Sequence, residues 1–222
     1  MAVVLLNEQR TAVCDHARRM VADGLVVGTS GNVSARAGEF VAVTPTGVDY
    51  GSLRPDDIPV VALDGSVVDG SLRPTSELPM HLAVYREAED PDGAPVTAVV
   101  HTHSVHATAV STLVDEVPPV HYILATLGPS VRVAPYATYG TTELAERMLA
   151  ALDGRRGCLL GNHGTVTYGD GLDAAYHRAQ QLEWACRLWL VARSAGTPRV
   201  LPPAEVEHVV DRLRGYGQPG AR

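Results

Sequence analysis

Apolar and polar residues repeat along this chain with two periods, and the changes of period mark its elements. After Leu6, the apolar positions Val13, Ala17, Met20 and Val21 recur at helical spacing, and Gly24 closes the run. This predicts a helix over residues 7–23 with Asn7 at its N-cap. The period then drops to that of a strand. Residues 32–36 and 39–43 around Ala37-Gly38 read as one hairpin, and residues 58–63 and 66–68 around Asp64-Gly65 as a second. Pro74-Thr75-Ser76-Glu77 opens a helix to about Glu87, with Thr75 or Ser76 as N-cap and Glu77 placed to complement the helix dipole. The β-branched run over 96–100 predicts a buried strand, and Ser104 starts a helix to about Leu113. His121-Tyr122 begins a short helix or turn. Residues 131–134 form a strand and 141–152 a helix, with Gly154 past its end. Residues 158–160 and 165–168 are strands around Gly161-Asn162-His163-Gly164. A long helix covers about 172–195, and Pro198, Pro202 and Pro203 separate it from a last helix to about Arg214 striped with Val206, Val209, Val210 and Leu213. The hairpins and short crossovers predict one α/β domain over residues 1–222. Its expected architecture is three layers, αβα, around a central mixed, mainly antiparallel sheet. Residues 203–222 are expected as a C-terminal helix and mobile tail.

Composition narrows the class. The chain has 222 residues, 45% hydrophobic but only 5% aromatic, so its core must be built from Val, Leu and Ala. The net charge is -7 and every one of the 18 basic residues is Arg. An acidic chain without a basic tract is a poor nucleic-acid binder. Three widely spaced cysteines, Cys14, Cys158 and Cys186, form neither a disulfide framework nor a Cys-rich metal site. The N-terminal AVVLL is too short for a signal peptide, and no apolar stretch approaches the ~18 residues of a membrane span. A cytoplasmic protein without a membrane partner is expected.

The chemistry gathers around VVHTHSVHATAV. His101 and His103 come at the end of a strand, where alternate residues face one way and sit about 7 Å apart at Cα, within reach of one metal ion. His163, between glycines at the end of another short strand, is the natural third ligand. Three imidazoles leave an open position that suits catalysis and favours zinc. Glu77 could fill that position or act as a base beside it. GTSGNVSAR (28–36), Thr44-Pro45-Thr46-Gly47 and Thr75-Ser76 are turns of small residues whose N–H groups and hydroxyls can cradle an anion. Of the other histidines, His16, His177 and His208 read as surface. His81 is placed to pack in the core or to orient Glu77, and His106 to stand behind the ligands.

The joint order of GTSGNVSAR, VTPTGV, PTSE followed by His81, VVHTHSVHATAVS, HYILA, APYATYGT and GNHG resembles the class II aldolase/adducin family, most closely its bacterial L-fuculose-1-phosphate aldolases. The resemblance covers nearly the whole chain. It implies zinc bound by His101, His103 and His163, with Glu77 as metal ligand and base. It implies phosphate binding near Thr29, Gly31, Asn32, Thr46, Gly47, Thr75 and Ser76, with Tyr122 as proton donor. Tyr216, in the terminal GYG, is implied as a lid over the site. A homotetramer with sites at subunit interfaces and a phosphorylated sugar substrate are also implied. The expected reaction is reversible cleavage of a ketose 1-phosphate to dihydroxyacetone phosphate and an aldehyde such as lactaldehyde. Three departures stand out: Asn162 before His163 where a second His is common, Thr75 in place of Ser, and Tyr139 in place of Phe. Sugar-phosphate dehydratases, 4-epimerases, decarboxylases and 5-deoxypentulose-phosphate aldolases share the scaffold, although HYILA lacks the acidic residue expected of the epimerases. The phosphate-cradling turns disfavour a zinc hydrolase, and the intact His/Glu set disfavours a non-catalytic adducin-like module.

Overall fold

In the computed structural model, residues 5–214 are described. Nine strands form one sheet, with β1 Asn32–Ala37, β2 Phe40–Val43, β3 Val60–Ala62, β4 Val67–Asp69, β5 Ala98–Thr102, β6 Glu116–Val117, β7 Val131–Ala134, β8 Gly157–Leu160 and β9 Gly164–Gly169. Their spatial order is β4-β3-β2-β1-β5-β9-β8-β7-β6. Neighbours run antiparallel except β7 and β8, which are parallel. The helices are α1 Asn7–Ala22, α2 Leu78–Glu87, α3 Val105–Ser111, α4 Thr142–Leu152, α5 Leu172–Ala195 and α6 Pro203–Leu213. A short 3-10 turn spans Tyr122–Thr126. This is the expected three-layer arrangement. No described helix is long and apolar enough to cross a membrane.

Strand alternation sorts the core into two faces. Val99 of β5 and Val166 and Tyr168 of β9 join Met80 and Val84 of α2 and Leu144 and Met148 of α4 on one side. Ala98 and Val100 of the same β5 join Val13, Ala17 and Met20 of α1 and Ala175 and Ala179 of α5 on the other. A third cluster beneath α3 gathers Val110, Leu159, Leu182 and Cys186. All three cysteines are free and buried, and burial pushes the Cys158 thiol up to about 12. Desolvation thus keeps them protonated, small core residues.

Several expectations are corrected. Asn7 is the first residue of α1, and Leu6 stands at the N-cap with a left-handed φ of 55°. Val21 leaves the α1 stripe and is 45% exposed. His16 is buried, its Nε2 3.1 Å from Asp173 Oδ1, because α1 packs across the start of α5. Neither Thr75 nor Ser76 caps α2. Glu77 holds the N-cap position, and Thr75 Oγ1 accepts from the Glu77 N–H at 3.2 Å. The histidine strand lies two residues later than its apolar run, so His101 is inside β5 rather than beyond it. Edge strand β6 has only two residues, too few to leave a period. Tyr216 and the rest of 215–222 lie outside the described residues.

Candidate active site

The site stands at one end of the sheet's central seam. Asn32 pairs with His101 across β1 and β5, and His101 pairs with Val166 across β5 and β9. His101 shares the face of Val99 and so looks toward the first turn of α2, where Glu77 sits. His103 follows just past β5. His163 is delivered by the tight turn from β8 to β9, closed by the His163 N–H donating to Leu160 O at 3.1 Å. Asn162 takes the left-handed φ of 56° that this turn demands, a conformation Asn tolerates better than most residues. Gly164 is required here, since a Cβ would lie 2.1 Å from Thr102 O and 3.3 Å from the His103 ring.

One ligand atom from each of Glu77, His101, His103 and His163 lies within 4.8 Å of all the others. The three rings stand edge to face, with centroids 4.8–4.9 Å apart. His101 Nε2 is 3.0 Å from Glu77 Oε2, and His163 Nε2 is 3.2 Å from Oε1. His101 Nδ1 lies 2.8 Å from Thr165 O; that carbonyl can only accept, so Nδ1 carries the proton there, and the inward Nε2 donates to Glu77 when the ring is charged and offers a lone pair when it is neutral. Nε2 of His101 and of His103 face each other at 2.9 Å, a pair that one proton, or one cation, can bridge.

Electrostatics agree with a cation site. Burial opposes the charge of Glu77, but His101 and hydrogen bonds from His101, His163 and Asn32 outweigh it and hold the carboxyl far below the usual range. Burial likewise works against a charged His101, and the Glu77 carboxylate and Thr165 carbonyl overcome it. Burial, then His101 and His163, push His103 down to about 3. Glu77 Oε1 is buried without a well-formed hydrogen bond. Three imidazoles and one carboxylate, one of whose oxygens lacks a well-formed hydrogen bond, make a donor set that fits a divalent transition-metal ion.

A cavity of about 410 Å³ opens over this cluster. One wall is made by Thr29, Gly31, Asn32, Thr46, Gly47, Thr75 and Ser76, the small-residue turns singled out in the sequence. Gly31 (φ +68°) has no alternative, because a Cβ would sit 2.5 Å from Val26 and 2.8 Å from His101 O. Thr75 N–H donates to Thr44 O at 3.0 Å and Thr46 N–H to Arg73 O at 3.0 Å, which ties two of the turns together. Tyr136, Ala137 and Tyr139 also line it. No arginine lines the cavity among the described residues.

Some expected residues stand elsewhere. Tyr122 is 52% exposed, stacked on His121 at 4.4 Å, and lines no part of the cavity. His106 turns away to Glu183, whose carboxylate also accepts from the N–H groups of His106 and Ala107 and so anchors the start of α3 behind His103. Ser30 and Pro45 line the cavity within the turns expected to do so, whereas Tyr50 and Tyr136 are lining residues that sequence reasoning passed over. Tyr136, in APYATYGT, had a signal in its neighbour Tyr139. Tyr50 had none, since it reaches the site only by donating from its hydroxyl to Gly31 O.

Fold and site define a metal-dependent lyase scaffold, and comparison with known proteins agrees. The family described as Class II Aldolase and Adducin N-terminal domain matches residues 11–190. The chain belongs to this class II aldolase/adducin family and is one of its aldolase enzymes. It is 37% identical over 217 residues to the 5-deoxy-D-ribulose 1-phosphate aldolase of Bacillus thuringiensis serovar kurstaki, covering 97% of this chain and 100% of that protein. It is 36% identical over 213 residues to the L-fuculose phosphate aldolase of Escherichia coli K12, covering 95% and 96%. A solved L-fuculose 1-phosphate aldolase superposes with a TM-score of 0.88 at 34% identity, over 96% of this chain and 98% of that one.

Proposed function

We propose that this aldolase reversibly cleaves a ketose 1-phosphate to dihydroxyacetone phosphate and a small aldehyde. The observation that carries the reading is the pairing, across one cavity, of the Glu77/His101/His103/His163 cluster with a wall of small-residue turns. His101, His103, His163 and Glu77 would hold the ion, with zinc the expected metal from the imidazole-rich donor set. When bound, the ion supplies Lewis-acid polarisation of the substrate oxygens. In the synthesis direction Glu77 takes the proton from the hydroxymethyl carbon of dihydroxyacetone phosphate, through Oε1, the oxygen that has only the His163 ring beside it and no well-formed hydrogen bond. Backbone N–H groups and hydroxyls around Thr29, Gly31, Asn32, Thr46, Gly47, Thr75 and Ser76 hold the phosphate without any lysine. Tyr122, solvent-facing on its own chain, serves as proton donor to the aldehyde oxygen in a neighbouring subunit's site, within a homotetramer. Tyr216 closes over the aldehyde end.

Two ketoses compete. L-fuculose 1-phosphate would yield lactaldehyde, in keeping with the Escherichia coli relative. A 5-deoxypentulose 1-phosphate would yield acetaldehyde, in keeping with the Bacillus thuringiensis relative. The test is to incubate the zinc-loaded protein with dihydroxyacetone phosphate and a panel of aldehydes and to identify the products. A new ketose 1-phosphate is the expected result, and the preferred aldehyde names the substrate. No condensation with any aldehyde would overturn the reading.

A further inference from the structure

Behind Glu77 lies a file of buried polar groups that ligand chemistry does not use. Asn32 Nδ2 donates to Glu77 Oε2 at 2.9 Å, and Asn32 Oδ1 meets His81 Nε2. His81 Nδ1 is 2.7 Å from Ser34 Oγ, which is 2.7 Å from the Tyr85 hydroxyl. All five residues are buried, Ser34 and His81 completely. The file alternates between two elements: Glu77, His81 and Tyr85 come from the start and body of α2, Asn32 and Ser34 from β1. Four residues along a helix advance about 6 Å and two along a strand about 6.6 Å, so the two combs interleave without slip.

Every bond in the file has one possible direction. The Glu77 carboxylate can only accept, so it faces the Asn32 amide nitrogen. Asn32 must then turn its carbonyl oxygen to His81, whose Nε2 must donate. A neutral ring leaves Nδ1 as an acceptor, so Ser34 donates to it and in turn accepts from Tyr85. Burial, then His101, push His81 down to about 3, which keeps the ring neutral.

We propose that His81 is a positioning residue, which locks the rotamer of Glu77 through Asn32 so that Oε2 is held in a well-formed hydrogen bond and Oε1, beside the His163 ring, is left to act on the substrate. This rests on the reading of Glu77 as the base. His81 itself does not bond the carboxylate and does not line the cavity; it reaches both only through Asn32. Without its N–H, the Asn32 amide is free to turn over and present its oxygen to the carboxylate, which repels it. The sequence spacing of Glu77 and His81 shows only that they share a helix face; the intervening Asn32 comes from a distant strand.

The first test needs no variant. In the zinc-loaded protein, ¹⁵N NMR of the imidazoles should show His81 with a protonated Nε2 and a bare Nδ1, unchanged between pH 5 and pH 9. A protonated Nδ1 would overturn the proposal. The second test follows exchange of the dihydroxyacetone phosphate C3 proton with deuterated water. His81→Leu should lower kcat for exchange about 10–100-fold, the usual cost of losing a group that orients a ligand, with KM little changed and zinc retained. His81→Gln, whose amide can donate to Asn32 Oδ1, should recover most of that loss. In a Glu77→Gln background His81→Leu should cost nothing further, since the group being positioned is gone. Loss in His81→Leu without rescue by His81→Gln, or the same loss in the Glu77→Gln background, would show a merely structural role. Wild-type exchange in Glu77→Gln itself would instead remove the base assignment, while the NMR result stands apart from it.

Discussion

At the scale of single residues, the proposed function gives Glu77 two duties that make opposite demands. A metal ligand should be fixed and charged, and a base should be free to take a proton. The two carboxylate oxygens differ in a way that suits this division, with Oε2 held by Asn32 and facing His101, and Oε1 beside His163 without a well-formed bond. Glu77→Gln keeps the shape and removes the basicity. Exchange of the dihydroxyacetone phosphate C3 proton should fall by about 10²–10⁴-fold with zinc still bound, as scored by mass spectrometry of the recovered substrate in deuterated water. Much of this site was legible in the sequence, because His-x-His on a strand and a Gly-flanked His state their geometry locally. Tyr122 was not. The role proposed for it rests on family resemblance alone, and its side chain is half exposed on this chain. His16 was misread because the charges around it belong to α1, whereas its burial comes from α5, far along the chain.

At the scale of elements, the loop after α2 is tied to the start of β8 by Arg156. Its guanidinium donates to Asp90 Oδ2 at 2.6 Å and Oδ1 at 2.8 Å, and to Asp92 Oδ2 at 2.6 Å. Arg214 at the end of α6 joins from the other side, 2.9 Å from Asp92. Burial works against the Asp90 charge, and Arg156 overcomes it to hold the carboxyl below its ordinary value. Asp92 is lowered chiefly by Arg156. A carboxyl lowered in the folded state contributes stability above its unfolded pKa of about 3.9, and that stability is lost as pH falls through the folded value. Asp90→Asn should therefore cost about 2–3 kcal/mol at pH 7. The gap from wild type should narrow below about pH 4, as read from urea midpoints at both pH values. The extent of the long helix was legible, since α5 covers the expected residues 172–195, whereas the caps of α1 and α2 were not. Strand order was not, since no periodicity reveals that β1 and β9 flank β5.

At the scale of the whole molecule, the cluster lies where three adjacent strands and the α2 N-terminus meet, so binding an ion there stabilises the entire fold. Zinc at 100 times its dissociation constant should add about 2.7 kcal/mol to the unfolding free energy and raise Tm accordingly. His103→Ala should lose the bound metal and this increment while keeping its circular dichroism spectrum, because His103 lies beyond the last β5 hydrogen bonds. Metal content by elemental analysis and thermal scans with and without zinc check both. The same seam also sets when the site comes into being. Pairing β1 with β5 and β5 with β9 joins segments far apart along the chain, and such non-local closures are the slow part of folding. The four donors have no common point before that closure, so an ion has nothing to grip in an early intermediate. It will retard unfolding and leave the refolding rate alone. A cell short of metal would then accumulate folded, idle enzyme, and a later supply would switch it on without new synthesis.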